Sequence, residues 1–265
     1  MPLFIERKAG KRFYEKLVAL EPAAALAELS DAAVDTTRFV GAAAARSTPL
    51  LWACARAKGD KWAEWVALAE MLIARPGADV NARDAKNESA LSLVGGTGHT
   101  DTIEKLIPAL MSKGARDANA LGRALAVSWT AVDLTAAILV PAVRALTALA
   151  ADASILKLAA ADRCKVFENA LTNGFDAVGI TLFKKGFRTA PYSAALRLAA
   201  AGGCAEFIKL LCMPTPLVPI DHVFDMGQTA LHIACMHGRA AAALAMLECG
   251  ATEFRFDSFK STPMM

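Results

Sequence analysis

Histidine and cysteine are the residue types in this sequence best suited to catalysis or metal binding. The 265 residues include four His and six Cys. His232 and Cys235 stand three residues apart, so a helix would place both on one side, as half of a zinc site requires. A second ligand pair at comparable spacing is missing, and the cysteines form no CxxC pair. The sequence therefore predicts no metal ion.

The glycine run Gly95-Gly96-Thr97-Gly98 is a second segment that suggests chemistry. A phosphate-binding loop of this kind ends in Lys followed by Ser or Thr, and it comes directly after a strand. The run lacks that ending, and no strand pattern precedes it. The serine-hydrolase motif GxSxG is also absent, and the acidic residues are dispersed. We predict no cofactor, no catalytic residue, no small-molecule substrate and no enzymatic activity.

Charge and hydropathy exclude several other classes of function. A net charge of +3 is too small to indicate the concentrated basic face of a nucleic-acid-binding protein. The most apolar stretch, residues 133–144, contains Pro141 and is too short to cross a bilayer. The charged N-terminus is not followed by the apolar run of a secretory signal. Scattered, unpaired cysteines indicate buried free thiols in a reducing compartment, so we expect the cytoplasm or the nucleus.

Composition indicates which elements position these residues. Alanine makes up about a fifth of the chain, whereas Tyr occurs only twice. Alanine has the best helix propensity, and its small side chain lets neighbouring backbones approach closely. A β-sandwich or barrel would contain more aromatic and β-branched residues. The composition therefore predicts an all-α protein with closely packed helices.

A repeated pattern is clearest near the C-terminus. Residues 227–238 read Gly-Gln-Thr-Ala-Leu-His-Ile-Ala-Cys-Met-His-Gly, and Thr262 follows Thr229 by 33 residues. This segment resembles the ankyrin repeat, whose pattern G-x-T-P-L-H-x-A-A-x-x-G-H recurs at that period. Residues 47–54 carry the same opening, and residues 77–82 read Gly-Ala-Asp-Val-Asn-Ala, an ending typical of the family.

The resemblance implies a solenoid of stacked helix-turn-helix repeats with finger-like loops. We expect about six to seven repeats, including caps, in a single elongated domain. Residues 1–46 are interpreted as a degenerate N-terminal capping repeat, and residues 122–163 as a repeat that lacks the glycine signals. The predicted repeats span 47–86, 87–121, 122–163, 164–192, 193–226 and 227–259, and 260–265 opens a further one.

Six residues carry the structural motif that the resemblance implies. The two threonines would cap first helices, because a Thr hydroxyl accepts a hydrogen bond from a free backbone N–H. The proline would occupy the first helical position, where no internal bond is lost. The histidine would bond nearby backbone and Thr groups, and the glycines would end the two helices of a repeat. These residues are Thr48, Pro49, Thr229, His232, Gly238 and Gly250.

The resemblance also implies a surface for binding other proteins. Ankyrin stacks present a concave face built from finger loops and the inner sides of first helices. The candidate contact positions are Arg56, Lys86, Glu88, Thr97, Asn173, Tyr192, Met226, Gln228, Met236, His237 and Phe259. Met226, Met236 and Phe259 are the most informative of these, because exposed apolar groups gathered on one face mark an interface.

We therefore expect a non-catalytic adaptor or scaffold that binds one or more proteins. A first alternative is an ankyrin segment of a larger scaffold or multidomain protein, since Thr262-Pro263 opens another repeat. A second alternative is an enzyme with an unrecognised site in 122–163. Its polar residues, Asp133, Arg144, Asp152 and Asp162, form no catalytic pattern.

Overall fold

The computed structural model describes residues 11–29, 34, 36, 47–127, 139–212 and 215–263. These residues fall into two compact units. The first unit takes in the described residues up to 127 together with 139–157, and the second begins at residue 158. Both units consist of α-helices, and the described ranges contain no strand beyond isolated bridges such as that between Arg83 and Ser89. The prediction of an all-α fold is confirmed.

The first unit is built from two rows of helices. Helices α3, α5 and α7 pack successively in one row, and α2, α4, α6 and α8 pack in the other. Each helix of the first row is followed in the chain by its partner in the second. The bounds are α1 (11–18), α2 (Pro22–Glu28), α3 (Pro49–Arg56), α4 (Trp62–Ala74), α5 (Ala90–Gly95), α6 (Thr100–Ser112), α7 (Ala120–Ala126) and α8 (Leu139–Ala151).

The second unit repeats this arrangement with three helix pairs. Helices α9, α11 and α13 form one row, and α10, α12 and α14 form the other. Helix α9 begins four residues before the predicted repeat boundary at 164, inside the segment that lacks the glycine signals. The bounds are α9 (Ala160–Thr172), α10 (Asp176–Lys184), α11 (Tyr192–Gly202), α12 (Ala205–Cys212), α13 (Ala230–Met236) and α14 (Ala240–Glu248).

Local sequence explains where many of these helices begin and end. Thr48 Oγ1 accepts a hydrogen bond from the backbone N–H of Leu51 at 3.4 Å, and Pro49 opens α3. The Ser89 hydroxyl caps α5 in the same way, accepting from Ser92 N at 3.2 Å. Gly250 follows α14 with a φ of 85°, a left-handed conformation that favours glycine. The chain therefore leaves α14 through a residue suited to the turn.

Aromatic packing forms the centre of the second unit. The Phe207 ring of α12 lies 5.6 Å from that of Phe167 on α9 and 5.4 Å from that of Phe183 on α10, both in edge-to-face contact. All three side chains are buried. Burying one such side chain stabilises a fold by about 1.5–3 kcal/mol. A cluster that draws on three helices therefore binds successive helix pairs together.

The first row of the second unit depends on a close backbone approach. A Cβ atom at Gly202 would collide with the carbonyl oxygen of Leu171, on the preceding helix α9. A Cβ at Gly174 would in turn come within 2.6 Å of the Gly202 carbonyl oxygen. Position 202 therefore requires glycine because no room is left for a Cβ atom, and not because of its φ, which is not left-handed.

Of the helices in the described ranges, none combines the length and apolar content that crossing a bilayer requires.

Candidate functional site

The finger loop of the first unit owes its shape to one aspartate. Asp84 Oδ1 accepts hydrogen bonds from the backbone N–H groups of Lys86 and Glu88, both at 2.9 Å. Asn87, between them, has a φ of 63°, which Asn tolerates better than most residues. These bonds close a tight turn before Ser89, the cap of α5. The loop tip is therefore rigid and presents Lys86 outward.

Asn81 joins this finger to the next. Its Nδ2 donates to the carbonyl oxygen of Gly114 at 3.3 Å, and its Oδ1 accepts from Arg116 N at 2.9 Å. The side chain thus satisfies backbone groups of a loop more than thirty residues away. The place of Asn81 in the Gly-Ala-Asp-Val-Asn-Ala ending is the sequence signal for this role, which is to bond the backbone of a finger.

The second unit also has an aspartate that closes a finger turn and a side chain that links one finger to the next, but other residues provide them. Asp257 Oδ1 accepts from Phe259 N and Ser261 N, both at 2.9 Å. Asp221 takes the role that Asn81 has in the first unit, and its carboxylate accepts two hydrogen bonds from Thr252. In addition, Ser258 N donates to Met226 O at 2.9 Å. Two consecutive finger loops, residues 221–228 and 252–261, are therefore held side by side.

His232 anchors α13 to the finger that follows it. Its ring is buried, and Nδ1 accepts from the backbone N–H of Thr229 at 3.1 Å. Because Nδ1 accepts, Nε2 carries the ring hydrogen, and it donates to Ser261 O at 3.3 Å. These contacts account for the imidazole as a structural group. Thr229 itself is the N-cap of α13 and is fully buried.

Three of the four candidate contact residues in the first unit have side chains that already contact a neighbour, and the fourth is exposed at a finger tip. Arg56 stacks over the Trp52 ring, with Cζ 3.7 Å from the centroid, and its partial burial lowers the pKa of the guanidinium. Glu88 is ion-paired with Arg123. Thr97 Oγ1 donates to Val94 O at 2.7 Å. Lys86 is exposed at the finger tip.

The candidates in the second unit include three exposed apolar side chains. Met226 is 62% exposed, Met236 65% and Phe259 70%. Gln228 Nε2 donates to Met236 Sδ at 3.3 Å, which links the finger loop to the end of α13. His237 is exposed next to Met236, at the end of the same helix.

Asn173 and Tyr192 lie elsewhere in the second unit and are half-buried. Asn173 follows the last residue of α9, and Tyr192 is the first residue of α11. The Tyr192 ring lies 6.2 Å from that of Phe183. The two helix-ending glycines of the motif, Gly238 and Gly250, have φ values of 64° and 85°.

The six cysteines differ in burial. Cys54, Cys204 and Cys212 are buried, but Cys164, Cys235 and Cys249 are half-buried, so the expectation of buried thiols is wrong for half of them. Burial raises the pKa of the Cys54 thiol to about 12. It also raises that of Cys235, the thiol nearest to His232 in sequence. A catalytic thiol requires the opposite shift.

The segment 122–163 provides no catalytic grouping in its described part. Asp152 pairs with Arg116 through Oδ2 and Nε at 2.9 Å. Arg144 and Asp162 are exposed and belong to different units, and Asp133 lies outside the described residues. Across the described ranges, no group of three His, Cys, Asp or Glu side chains has the spacing of a metal site.

One groove was missed by the sequence analysis. Residues 188–193, which lead into α11, and residues 217–222 of the next finger enclose a space of about 520 Å³. We call it the 188–222 groove. Tyr192 lines it and was a candidate contact residue, whereas His222 could not be assigned from the sequence. The two segments are about thirty residues apart, so no local pattern relates them. The run of prolines in 214–219 was the available signal.

Parts of this chain are similar to known proteins. Models of the ankyrin repeat match residues 46–85 and 226–253. No curated protein matches the chain. The human ASB11 ankyrin repeat domain aligns at 19% identity and a TM-score of 0.45, covering 82% of this chain and 90% of that domain. The ankyrin repeat domain of Bcl-3, a member of the IkappaB family, aligns at 14% identity and a TM-score of 0.35, covering 96% and 92%.

The family models match the two segments in which the structure has its most complete repeats. The first match spans α3, α4 and the chain up to the finger turn at Asp84, and the second spans α13, α14 and the first residues of the loop that follows. The cap at Thr48, the buried His232 and the left-handed Gly250 lie in these segments. The chain contains ankyrin repeats in these two segments.

Proposed function

We propose that this protein is a non-catalytic adaptor that binds a partner protein through the fingers of its second unit. The observation that carries the proposal is the exposure of Met226, Met236 and Phe259, each with more than three-fifths of its surface open to solvent. Ankyrin repeats are in general protein-interaction modules. Large apolar side chains grouped on a surface are typical of binding sites.

The three side chains belong to one connected region. Met226 and Phe259 are the tips of adjacent fingers, joined by the bond from Ser258 N to Met226 O. Met236 is tied to the first of these fingers by Gln228. We call Met226, Met236 and Phe259 the apolar finger surface. Its flexible thioethers and aromatic ring suit a partner that inserts apolar side chains of its own.

Rigidity of the loops supports the same proposal. Asp257 closes the turn that carries Phe259, and Asp221 fastens the finger that carries Met226 to the next. A surface already held in one conformation loses less entropy when a partner binds. In the first unit, Lys86 lies at the tip of a finger with the same aspartate turn. Cytoplasmic or nuclear location stays a prediction.

Arginine substitutions on the apolar finger surface test the proposal. Wild type, Met236→Arg and Phe259→Arg would be immobilised and exposed to extract of the source cell, and retained proteins quantified by mass spectrometry. Leu244→Arg is the matched control, because Leu244 is 61% exposed but lies on α14, outside the fingers. Circular dichroism would verify folding of each variant.

We expect both finger variants to lose one and the same set of proteins, which Leu244→Arg retains. Placing a charge at the centre of an apolar contact costs binding energy because the charge loses its water. Retention of every protein by the finger variants contradicts the proposal. Equal loss from Leu244→Arg contradicts it as well.

A further inference from the structure

The 188–222 groove is lined mainly by apolar groups. Pro191, Leu217, Val218 and Pro219 contribute aliphatic surface, and Tyr192 adds an aromatic ring. Val218 is buried, whereas Leu217 is 47% exposed at the edge. The volume of about 520 Å³ is within the range of pockets that hold small ligands or large side chains.

A fixed cation lies at the rim of the groove. Arg188 Nη1 donates to the carbonyl oxygens of Phe183 and Phe187. Its Cζ lies 3.7 Å from the centroid of the Phe183 ring, in a cation–π contact. The guanidinium is therefore held in place while its residue stays exposed. Among the residues that the structure describes, no carboxylate forms an ion pair with it.

His222 adds a second polar group on the opposite segment. Its backbone N–H donates to Pro219 O at 3.0 Å, and its ring stands edge-on to that of Phe224 at 5.0 Å. An imidazole can donate a hydrogen bond to a carboxylate whether it is neutral or charged. The groove thus has an apolar floor with donors on both of its sides.

Two acidic groups next to the lining segments already have hydrogen-bond partners. Glu168 Oε1 accepts from the hydroxyl of Thr189, one of the lining residues, at 2.9 Å. Asp221 is occupied by Thr252. No Asp or Glu lines the groove itself. An uncompensated cation beside an apolar cavity is complementary to an apolar group that carries a negative charge.

We propose that the 188–222 groove binds a segment of a partner protein in which a bulky apolar side chain adjoins a carboxylate. The apolar side chain fills the space over Val218 and Pro219, and the carboxylate pairs with Arg188. This inference rests on the proposed function, because it names the chemistry of the partner at a second place in the same unit.

A pair of small probes tests the groove without any partner protein. N-acetylphenylalanine carries the apolar ring and the carboxylate, and its amide has the same shape without the charge. Each would be titrated into the ¹⁵N-labelled full chain and followed by ¹H–¹⁵N correlation spectra. We expect chemical-shift changes at residues 188–193 and 217–222, and a dissociation constant about fivefold lower for the carboxylate than for the amide.

Three variants separate the charge effect from general effects. Arg188→Gln should bring the two probes to equal affinity, and Arg255→Gln, an exposed arginine of the same unit outside the groove lining, should leave the fivefold ratio unchanged. Leu217→Asp should weaken the carboxylate more than the amide, because it places a negative charge at the rim. This variant provides the same test if Arg188→Gln fails to fold.

Several results would overturn the inference. They are the absence of shifts at the groove with either probe, equal affinities of the two probes for wild type, and an equal effect of Arg255→Gln and Arg188→Gln. The proposed function fails separately, in the capture experiment with Met236→Arg, which should bind both probes like wild type.

Discussion

Asp221 and Thr252 bind two finger loops together through one carboxylate. Asp221 Oδ1 accepts from Thr252 N at 3.0 Å, and Oδ2 accepts from Thr252 Oγ1 at 2.5 Å. The loops belong to consecutive repeats, so the contact acts between repeats. In the first unit an amide side chain, Asn81, occupies the equivalent place. The two units therefore use the same position and different chemistry to align their fingers.

Asp221→Ala should loosen the fingers of the second unit. Loss of both bonds removes about 1–2 kcal/mol, since each net hydrogen bond contributes about 1 kcal/mol. Hydrogen-exchange mass spectrometry should show faster exchange at residues 219–224 and 250–254. Asp221→Asn keeps one acceptor oxygen, so its exchange rate should lie between those of wild type and Asp221→Ala. Glu253→Gln, at an exposed neighbouring residue, serves as the control. Exchange that is equally fast in Glu253→Gln would contradict the assignment.

His232→Ala should destabilise the second unit much more than His237→Ala. The first change leaves the buried Thr229 N–H without its acceptor and removes the donor to Ser261 O. An unsatisfied buried group costs about 1–3 kcal/mol. His237 is exposed, so its removal should cost less than about 0.5 kcal/mol. Urea unfolding followed by circular dichroism measures both. Equal midpoints for the two variants would refute the structural role of His232.

Gly202→Ala should be strongly destabilising because of the Leu171 carbonyl oxygen. A methyl group at this position forces α9 and α11 apart, and overpacking of this kind costs about 1–3 kcal/mol or more. Gly186→Ala is the control: its φ is 89°, but nothing lies within 4 Å of the added Cβ. That control isolates the cost of a left-handed backbone, about 1–2 kcal/mol. A lower melting temperature for Gly186→Ala than for Gly202→Ala would contradict the predicted collision with the Leu171 carbonyl oxygen.

Thiol labelling should follow burial. The pKa of Cys54 is raised to about 12 by burial, so at pH 8 only about one molecule in ten thousand carries the reactive thiolate. The pKa of Cys204 is raised for the same reason. With Ellman's reagent at pH 8, we expect the half-buried Cys235 and Cys249 to react first and Cys54 and Cys204 last. Raising the pH should accelerate every site, because a raised pKa keeps the thiol protonated until more alkaline conditions. Peptide mapping after partial labelling gives the order, and early labelling of Cys54 would be evidence against it.

Local motifs were predictable because their causes lie within a few residues. Thr48 caps the helix that begins at the next residue, and Gly250 turns the chain two residues after α14 ends. The cap of α5 at Ser89 follows the same rule with a different hydroxyl. Such positions depend on backbone groups three or four residues away, so a single repeat contains all the information.

The half-buried cysteines show where local reasoning fails. Cys54 and Cys235 occupy the same position in their first helices, yet only Cys54 is fully buried. Burial depends on which neighbouring repeat covers a residue, and that neighbour is distant in sequence. The six residues of the structural motif were therefore predictable from local sequence. The eleven candidate contacts were less so, because a contact residue must be exposed and exposure depends on the neighbouring repeat.

The sequence alone determined that this protein is all-α and that its helices come in ankyrin-type pairs, because repeat period, caps and helix-ending glycines are local. Only the tertiary structure decided that Gly202 must be glycine, that Asp221 reaches Thr252, and that residues 188–193 meet residues 217–222 in a groove. The physical reason is that each of these contacts joins segments about thirty residues apart, across loops of unequal length. Their meeting depends on how one repeat packs against the next.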